Sequence, residues 1–408
     1  MPKRDLIRGT SLVSLGEILN KFIGVGGFAA LAIWLSPADY GQFAIAWMFY
    51  AIADVFLDFG TSISYHQHAK NSTKALGLYR SLLIILGIFW TSIMCIACAF
   101  LWISSKEDIS ITLFVLSTSL IFRSLSVPYF SYWVRNNTYL YLVMNKIISA
   151  IIGVVASVYM AYQGFGEISL AIRFPISAFC GFILVLFVSN FVDKLYLDIN
   201  LYKDWLLRGI KYTATVNWGW MLFFYVEQQI ILLFYGESAL GLYNYAKKIL
   251  DVGMQVVNTV SKSIVQPYFI QHSFKLVKVF KFSVGLISLG VLLSVILSLL
   301  TPAVSNYVDS EWLNSLDYFN YLIFIMPIGL GSSIFVAYLV SIDNYLSIFK
   351  AELLGSSSLI LLGGLTGYYQ LGIKAFILTL IFSYAVKLIY FWIKGLQIMK
   401  LKHGTTDN

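Results

Sequence analysis

The chain has 408 residues, of which 59% are hydrophobic and 12% charged, and a formal net charge of +8; its mean hydropathy is +0.79. Soluble domains hold about 45–50% apolar and about 25% charged residues, so this composition excludes a soluble globular protein and implies an integral membrane protein. The positive balance calls for no nucleic acid, because most of the cations sit at the edges of apolar runs.

From the N-terminus, basic Pro2-Lys3-Arg4 leads straight into a run long enough to cross the bilayer, and no cleavable leader is visible. A helix needs about 20 apolar residues to cross the hydrocarbon core. The pattern predicts twelve such helices, at 9–34, 41–65, 79–103, 110–134, 145–162, 168–191, 209–234, 240–269, 280–302, 317–341, 349–369 and 371–397. With the N-terminus in the cytoplasm, the inward connections carry nineteen Lys and Arg and the outward ones only Lys106 and Lys374. That asymmetry follows the positive-inside rule and places both termini in the cytoplasm. Cys95, Cys98 and Cys180 fall inside apolar spans, where they act as small hydrophobes.

The chain repeats itself. Leu6-Ile7-Arg8-Gly9 returns as Leu206-Leu207-Arg208-Gly209, and Tyr40-Gly41 through Ala46 returns as Leu240-Gly241 through Ala246. A second echo, offset by 206, aligns Tyr132, Val134, Tyr139, Leu140 and Gly166 with Tyr338, Val340, Tyr345, Leu346 and Gly372. The expected architecture is an all-α polytopic membrane protein with about twelve transmembrane helices in two pseudo-symmetric six-helix lobes. The lobes are expected at 1–191 and 209–397, with a cytoplasmic linker at 192–208 and a cytoplasmic tail at 398–408. In the linker Leu197, Leu201 and Trp205 recur every fourth residue among charges, as on an interfacial helix. An even number of spans per half gives parallel repeats with a substrate path between them, which is a transporter's architecture.

Charges inside the spans carry the functional signal. They are Glu17, Lys21, Asp54, Asp58, Arg123, Arg173, Glu227, Lys247, Lys248, Asp251, Lys262 and Lys387, seven cations against five acids. Each costs about 2.5–3.5 kcal/mol at a helix centre, so each is expected to face a wet cavity or a partner. Glu17 with Lys21, Asp54 with Asp58, and Lys247 with Asp251 are spaced i,i+4, which puts both members on one helix face. The two mixed pairs read either as internal neutralisation or as cavity groups. Asp54 and Asp58 read as a proton-coupling pair, a bundle salt bridge or a solvated mouth. Arg173 and Lys387 lie within reach of an interface, where snorkelling is the default. Arg123 has no acid within four residues on its own helix, so it reads as a cavity-lining anion contact or one half of a cross-helix pair. A cationic surplus in a dry setting favours an anionic substrate, phosphate in particular. The aromatic residues, 17% of the chain, read mainly as interface belts, although Tyr129–Trp133 and Trp218–Tyr225 offer rings for stacking on sugars.

Other motifs carry less. Asp58-Phe59-Gly60 spells a kinase triplet without the rest of the kinase signature. His66 and His68 lack further ligands at metal spacing. No phosphate-binding Walker loop appears, so ATP hydrolysis, cofactors and metals are not implied.

The Arg8-Gly9 entry, Leu35-Ser36-Pro37-Ala38-Asp39-Tyr40-Gly41-Gln42-Phe43-Ala44-Ile45-Ala46, and Asp58-Phe59-Gly60-Thr61-Ser62 together resemble the N-terminal signature of Wzx-type polysaccharide flippases. These belong to the multidrug/oligosaccharidyl-lipid/polysaccharide (MOP) exporter superfamily. Gly236 through Ala246 resembles that family's second-half signature. The resemblance implies a V-shaped two-lobe fold in the bacterial inner membrane. It implies translocation of an undecaprenyl-pyrophosphate-linked oligosaccharide, an O-antigen repeat unit, from the cytoplasmic to the periplasmic face. It also implies cationic lumen residues, matched here by Lys21, Arg123, Arg173, Lys247, Lys248 and Lys262. Ion coupling through Glu17, Asp54, Asp58, Glu227 or Asp251 is a separate expectation, drawn from the cost of leaving those acids ionised in a membrane. The expected partners are the lipid-linked oligosaccharide, membrane lipids and other polysaccharide-assembly proteins. Two departures stand out: Glu17 lies one turn before Lys21, and the thirteenth and fourteenth spans of the superfamily's lipid II flippases are missing. The competing readings are a small-molecule exporter of the same fold, a membrane enzyme of polysaccharide assembly and a structural scaffold. All four histidines lie on the expected cytoplasmic side and the outward loops are short, which speaks against an acyltransferase or a polymerase and for a protein that is not an enzyme.

Overall fold

The structure, a computed structural model, describes residues 3–62, 65, 73–136, 138–189, 195–260, 276–305, 309–342 and 344–404. Among them there is no strand. The helices in chain order are α1 (Lys3–Leu31), α2 (Pro37–Val55), α3 (Thr73–Ile103), α4 (Glu107–Arg135), α5 (Tyr139–Tyr162), α6 (Ile168–Val188) and α7 (Ile199–Tyr235). They continue with α8 (Glu237–Val260), α9 (Leu276–Ser305), α10 (Leu313–Leu322, entered by a 3-10 turn at Ser310–Trp312), α11 (Ile325–Ser341), α12 (Tyr345–Tyr368) and α13 (Ile373–Gly404).

Each predicted span lies at least in part on one of these helices, the second only as far as Val55 and the tenth on α10 and α11 together, bent by 49° between them, while residues 261–269 of the eighth lie outside the described residues. Among the described residues eight helices are long and apolar enough to cross a membrane, or nine with the bent pair taken as one span. The remaining three predicted spans are α2, α7 and α8, and these carry Asp54, Glu227, Lys247, Lys248 and Asp251. Charge lowers their mean apolarity below what a lipid-facing helix shows.

Local chemistry explains the breaks. Pro37 opens α2, and Ser36 caps it: its hydroxyl accepts from the Asp39 amide while the Asp39 carboxylate accepts from the Ser36 amide at 2.8 Å. The same helix does not run to residue 65. It stops at Val55, and the chain turns through Phe59 (φ 45°) and Gly60 (φ 72°), with the Asp58 carboxylate accepting from the Gly60 amide at 2.8 Å. Asp58 is thus a turn-forming residue, and Asp54 and Asp58 do not share a helix face. Gly166 and Gly372, the pair 206 residues apart, both take left-handed φ values (54° and 86°) just before α6 and α13. At those points a side chain would be strained, which is why the echo survives there.

The chain divides into two compact units, Met1–Ala214 and Thr215–Asn408. In the first, α1 packs on α5, α5 on α6, α6 on α4, and α4 on both α2 and α3. In the second, α12 packs on α13, α13 on α11, and α11 on both α8 and α9. Aligning α5 with α12, α6 with α13, α4 with α10 and α11, α3 with α9 and α2 with α8 makes the two sets of neighbours the same. The first helices follow suit: Gly16 lies against Val143 and Gly219 against Phe349, and Val143 and Phe349 are again 206 apart. The repeat is therefore a repeat of packing.

The division falls inside α7, and residues 199–208, expected as a separate interfacial helix, are its first turns. Trp205 is buried between Tyr65 and Tyr79 in an aromatic cluster of the first unit, whereas Leu197 is exposed. Leu197 precedes the helix, and the Leu201 side chain lies outside the described residues.

α4 is the central helix of the first unit. It buries Ser110, Thr112, Ser117, Ser119, Ser124, Ser126 and Ser131. The hydroxyls of Ser117, Ser119, Ser124 and Ser126 donate to carbonyls three or four residues back, so these four enter the apolar interior satisfied. Small residues also set the closest approaches. A Cβ on Gly153 of α5 would lie 2.7 Å from the Arg173 carbonyl oxygen of α6, a backbone atom that cannot step aside. Gly153→Val is expected to force the two helices apart at a cost of about 1–3 kcal/mol, seen as a lower melting temperature of the detergent-purified protein. Gly26→Ala, which meets open space, should melt like the parent.

Candidate functional site

The first unit encloses a cavity of about 250 Å³ bounded by α1, α2, α4, α5 and α6. Two cations line it, Arg123 from α4 and Lys146 from α5. Polar groups from Asn20, Ser126, Asn145, Ser149 and Ser177 share the wall with the rings of Tyr50, Phe130 and Phe174. Gly181 of α6 completes it, and its missing side chain leaves room beside the Asn145 and Ser149 oxygens.

Arg123 has the cross-helix partner that its own helix lacks. Its Nη1 donates to Asp54 Oδ1 of α2 and, at 3.5 Å, to the Tyr50 hydroxyl. Tyr50 is fully buried; it donates to Asp54 at 3.3 Å and lies 2.8 Å from Ser119 Oγ. Arg123 is therefore both a paired residue and a cavity-lining one. Lys146, at the start of the span predicted at 145–162 and counted among the inward cations, sits in the wall and donates to Glu17 of α1. Glu17 thus pairs across helices with Lys146 and not along its own helix with Lys21. Lys21 is half-buried and makes no ion pair among the described residues. Helix-to-helix packing decides this: α1 lies on α5, which brings Lys146 within reach of Glu17.

Arg173 lies outside the cavity wall. Its Nη1 donates to the Gly24 carbonyl of α1 at 3.1 Å, and its guanidinium lies 4.6 Å from the Phe174 ring. It ties α6 to α1 and does not snorkel. Its neighbour Phe174 reaches the cavity and lies against Trp47, centroids 4.7 Å apart with the rings tilted by 38°.

The second unit buries two of its ion pairs. Glu227 of α7 is fully buried and accepts from Lys247 and from the Tyr243 hydroxyl, both of α8. Its second oxygen, Oε2, has no hydrogen-bond partner. Lys248 and Asp251 are half-buried on the same helix, and Lys262 lies outside the described residues. Lys387, expected at an interface, is 6% exposed: its ammonium is 3.1 Å from Glu352 and 3.6 Å and 4.2 Å from the ring centroids of Phe223 and Tyr384. Acid and rings together hold the charge where it is.

Sequence reasoning missed Lys146, Ser149 and Glu352 as site residues. The repeat carried the signal, since its offset of 206 sets Lys146 opposite Glu352 and Gly181 opposite Lys387. Removing one partner of a buried pair strands the other. Lys247→Met is expected to cost about 3–5 kcal/mol by leaving Glu227 unpaired, read from denaturation in detergent, and adding Glu227→Gln should recover most of it.

A family model described as polysaccharide biosynthesis protein matches residues 30–275. No curated protein matches the chain in sequence. In structure the chain is similar to the lipid II flippase MurJ in an inward closed conformation, with a TM-score of 0.74 and 14% identity over 94% of this chain and 87% of that one. It is also similar to an outward-facing multidrug resistance MATE family transporter of the MOP superfamily, with a TM-score of 0.68 and 15% identity over 99% and 97%. A MOP superfamily transporter from Pyrococcus furiosus Vc1 gives a TM-score of 0.63 and 12% identity over 96% and 95%. The helical bundle, its internal repeat and the family match converge: the chain belongs to the polysaccharide biosynthesis protein family and has the fold of the MOP exporter superfamily.

Proposed function

We propose that this protein is a flippase that carries an undecaprenyl-pyrophosphate-linked oligosaccharide, an O-antigen repeat unit, from the cytoplasmic to the periplasmic face of the bacterial inner membrane. The observation that carries this reading is the cavity of the first unit, where Arg123 and Lys146 stand beside hydroxyls, amides and aromatic rings. Cations suit the anionic linker, and rings with hydroxyls suit sugars. A flippase need only shield the polar headgroup while the polyprenyl tail stays in lipid, so translocation needs no bond-making chemistry by the protein. Alternating access by the two repeat units supplies the movement.

The positive-inside pattern puts both termini in the cytoplasm, where the substrate is assembled. The other polysaccharide-assembly proteins are its partners. The driving force in this reading is an ion gradient and not ATP, with Glu17, Asp54, Asp58, Glu227 and Asp251 as candidate coupling groups, because an ionised acid in a membrane is costly unless it does something there. Lys21, Arg173, Lys247, Lys248 and Lys262 remain candidates for substrate contact alongside Arg123.

The test is made in cells lacking the gene. Lipid-linked oligosaccharides are extracted and the membrane face that displays them is assayed. Complete repeat units are expected to accumulate on the cytoplasmic face, and Arg123→Glu is expected not to restore export. Single units that reach the periplasm unjoined would make the protein part of polymerisation. Unchanged glycans with altered drug sensitivity would make it a small-molecule exporter of the same fold.

A further inference from the structure

The first unit's cavity holds more hydrogen-bond donors than it uses. Among the described residues, Arg123 makes its hydrogen bonds through Nη1 alone, which leaves Nη2 and Nε without acceptors. Lys146 donates only to Glu17. The Ser149 hydroxyl is buried with no partner. The two counter-ions, Asp54 on α2 and Glu17 on α1, are not themselves part of the cavity wall.

The second unit shows what belongs in such a place. There Gly355 stands where Ser149 stands in the first copy, Lys387 where Gly181 stands, and Glu352 where Lys146 stands. The Lys387 side chain lies over Gly355, with its Cγ and Cδ 2.8 Å from where a Cβ would be, and its ammonium meets Glu352 at 3.1 Å. The protein's own cation thus fills the second copy of the site against an acidic wall. In the first copy the occupant is missing and the wall residue is a lysine. The charge of the wall is reversed, so the charge of the occupant is reversed as well.

We propose that the first unit's cavity is a seat for one oxyanion group, a phosphoryl of a diphosphate linker or the carboxylate of an acidic sugar. Asp54 and Glu17 are its stand-ins: they neutralise Arg123 and Lys146 while the seat is empty and yield them to the guest. Naming the guest as part of a lipid-linked glycan rests on the flippase reading; its charge does not. A stand-in competes with the ligand, so removing it tightens binding, whereas a mere structural brace would weaken binding or leave it unchanged when removed.

The experiment is calorimetric titration of the full-length protein in nanodiscs with inorganic pyrophosphate and, separately, with glucuronate. Asp54→Asn and Glu17→Gln are each expected to bind the preferred anion about tenfold more tightly than the parent, and Arg123→Gln about tenfold more weakly. Whichever anion responds identifies the linker or the sugar as the source. If one stand-in variant fails to fold, the other carries the test. Folded variants with unchanged or weaker affinity for both anions overturn the proposal, and so does a parent protein that binds neither. Tightened binding beside normal glycan display in cells lacking the gene would keep the seat and remove the flippase reading. Unchanged affinity beside cytoplasmic accumulation would do the reverse.

Discussion

An ionised side chain in a membrane helix needs a partner or a wet cavity, and four ion pairs between helices meet that need in the two units. Arg123 meets Asp54 across α4 and α2, Lys146 meets Glu17 across α5 and α1, Lys247 meets Glu227 across α8 and α7, and Lys387 meets Glu352 across α13 and α12. Each pair joins helices that the apolar packing alone would hold with little specificity, since lipid tails are as apolar as leucine. In the first unit, however, both pairs border an open polar cavity, so they remain available to something else. That difference turns a general requirement of membrane folding into a candidate for function.

The fold was legible in the sequence because its causes are local. Apolar runs of spanning length, the excess of basic residues in alternate connections and the echo at 206 residues were sufficient for an all-helical duplicated membrane protein. The glycines at 166 and 372 show how far the echo reaches, since both sit in the same left-handed turn before the last helix of their unit. The end of α2 was legible too, but misread. Asp58-Phe59-Gly60 falls inside a predicted span, yet an Asp whose carboxylate accepts from the amide two residues on is turn chemistry.

The site was less legible because ion pairing between helices has no sequence spacing. An i,i+4 rule sees Glu17 with Lys21 but cannot see Lys146, 129 residues away in the chain. It supplies no partner for Arg123, whose partner lies 69 residues upstream. Lys387 is within reach of an interface, where snorkelling is the default; the rings of Phe223 and Tyr384 and the Glu352 carboxylate reverse that outcome through packing. The register of the repeat sets Lys146 opposite Glu352, a signal that spacing along one helix does not contain. The same comparison shows that duplication preserved the backbone and exchanged the charges, filling one copy of the pocket and leaving the other open.

The central claim is that this protein moves a charged, sugar-bearing headgroup across the bilayer, and it is tested most directly in proteoliposomes. A fluorescent polyprenyl diphosphate oligosaccharide is placed in both leaflets, and a membrane-impermeant reductant is added outside. The account predicts that vesicles containing the protein lose nearly all fluorescence as inner-leaflet substrate is delivered to the surface, while protein-free vesicles retain the inner-leaflet signal. An identical retained signal with and without the protein, under an imposed ion gradient of either direction, would contradict it.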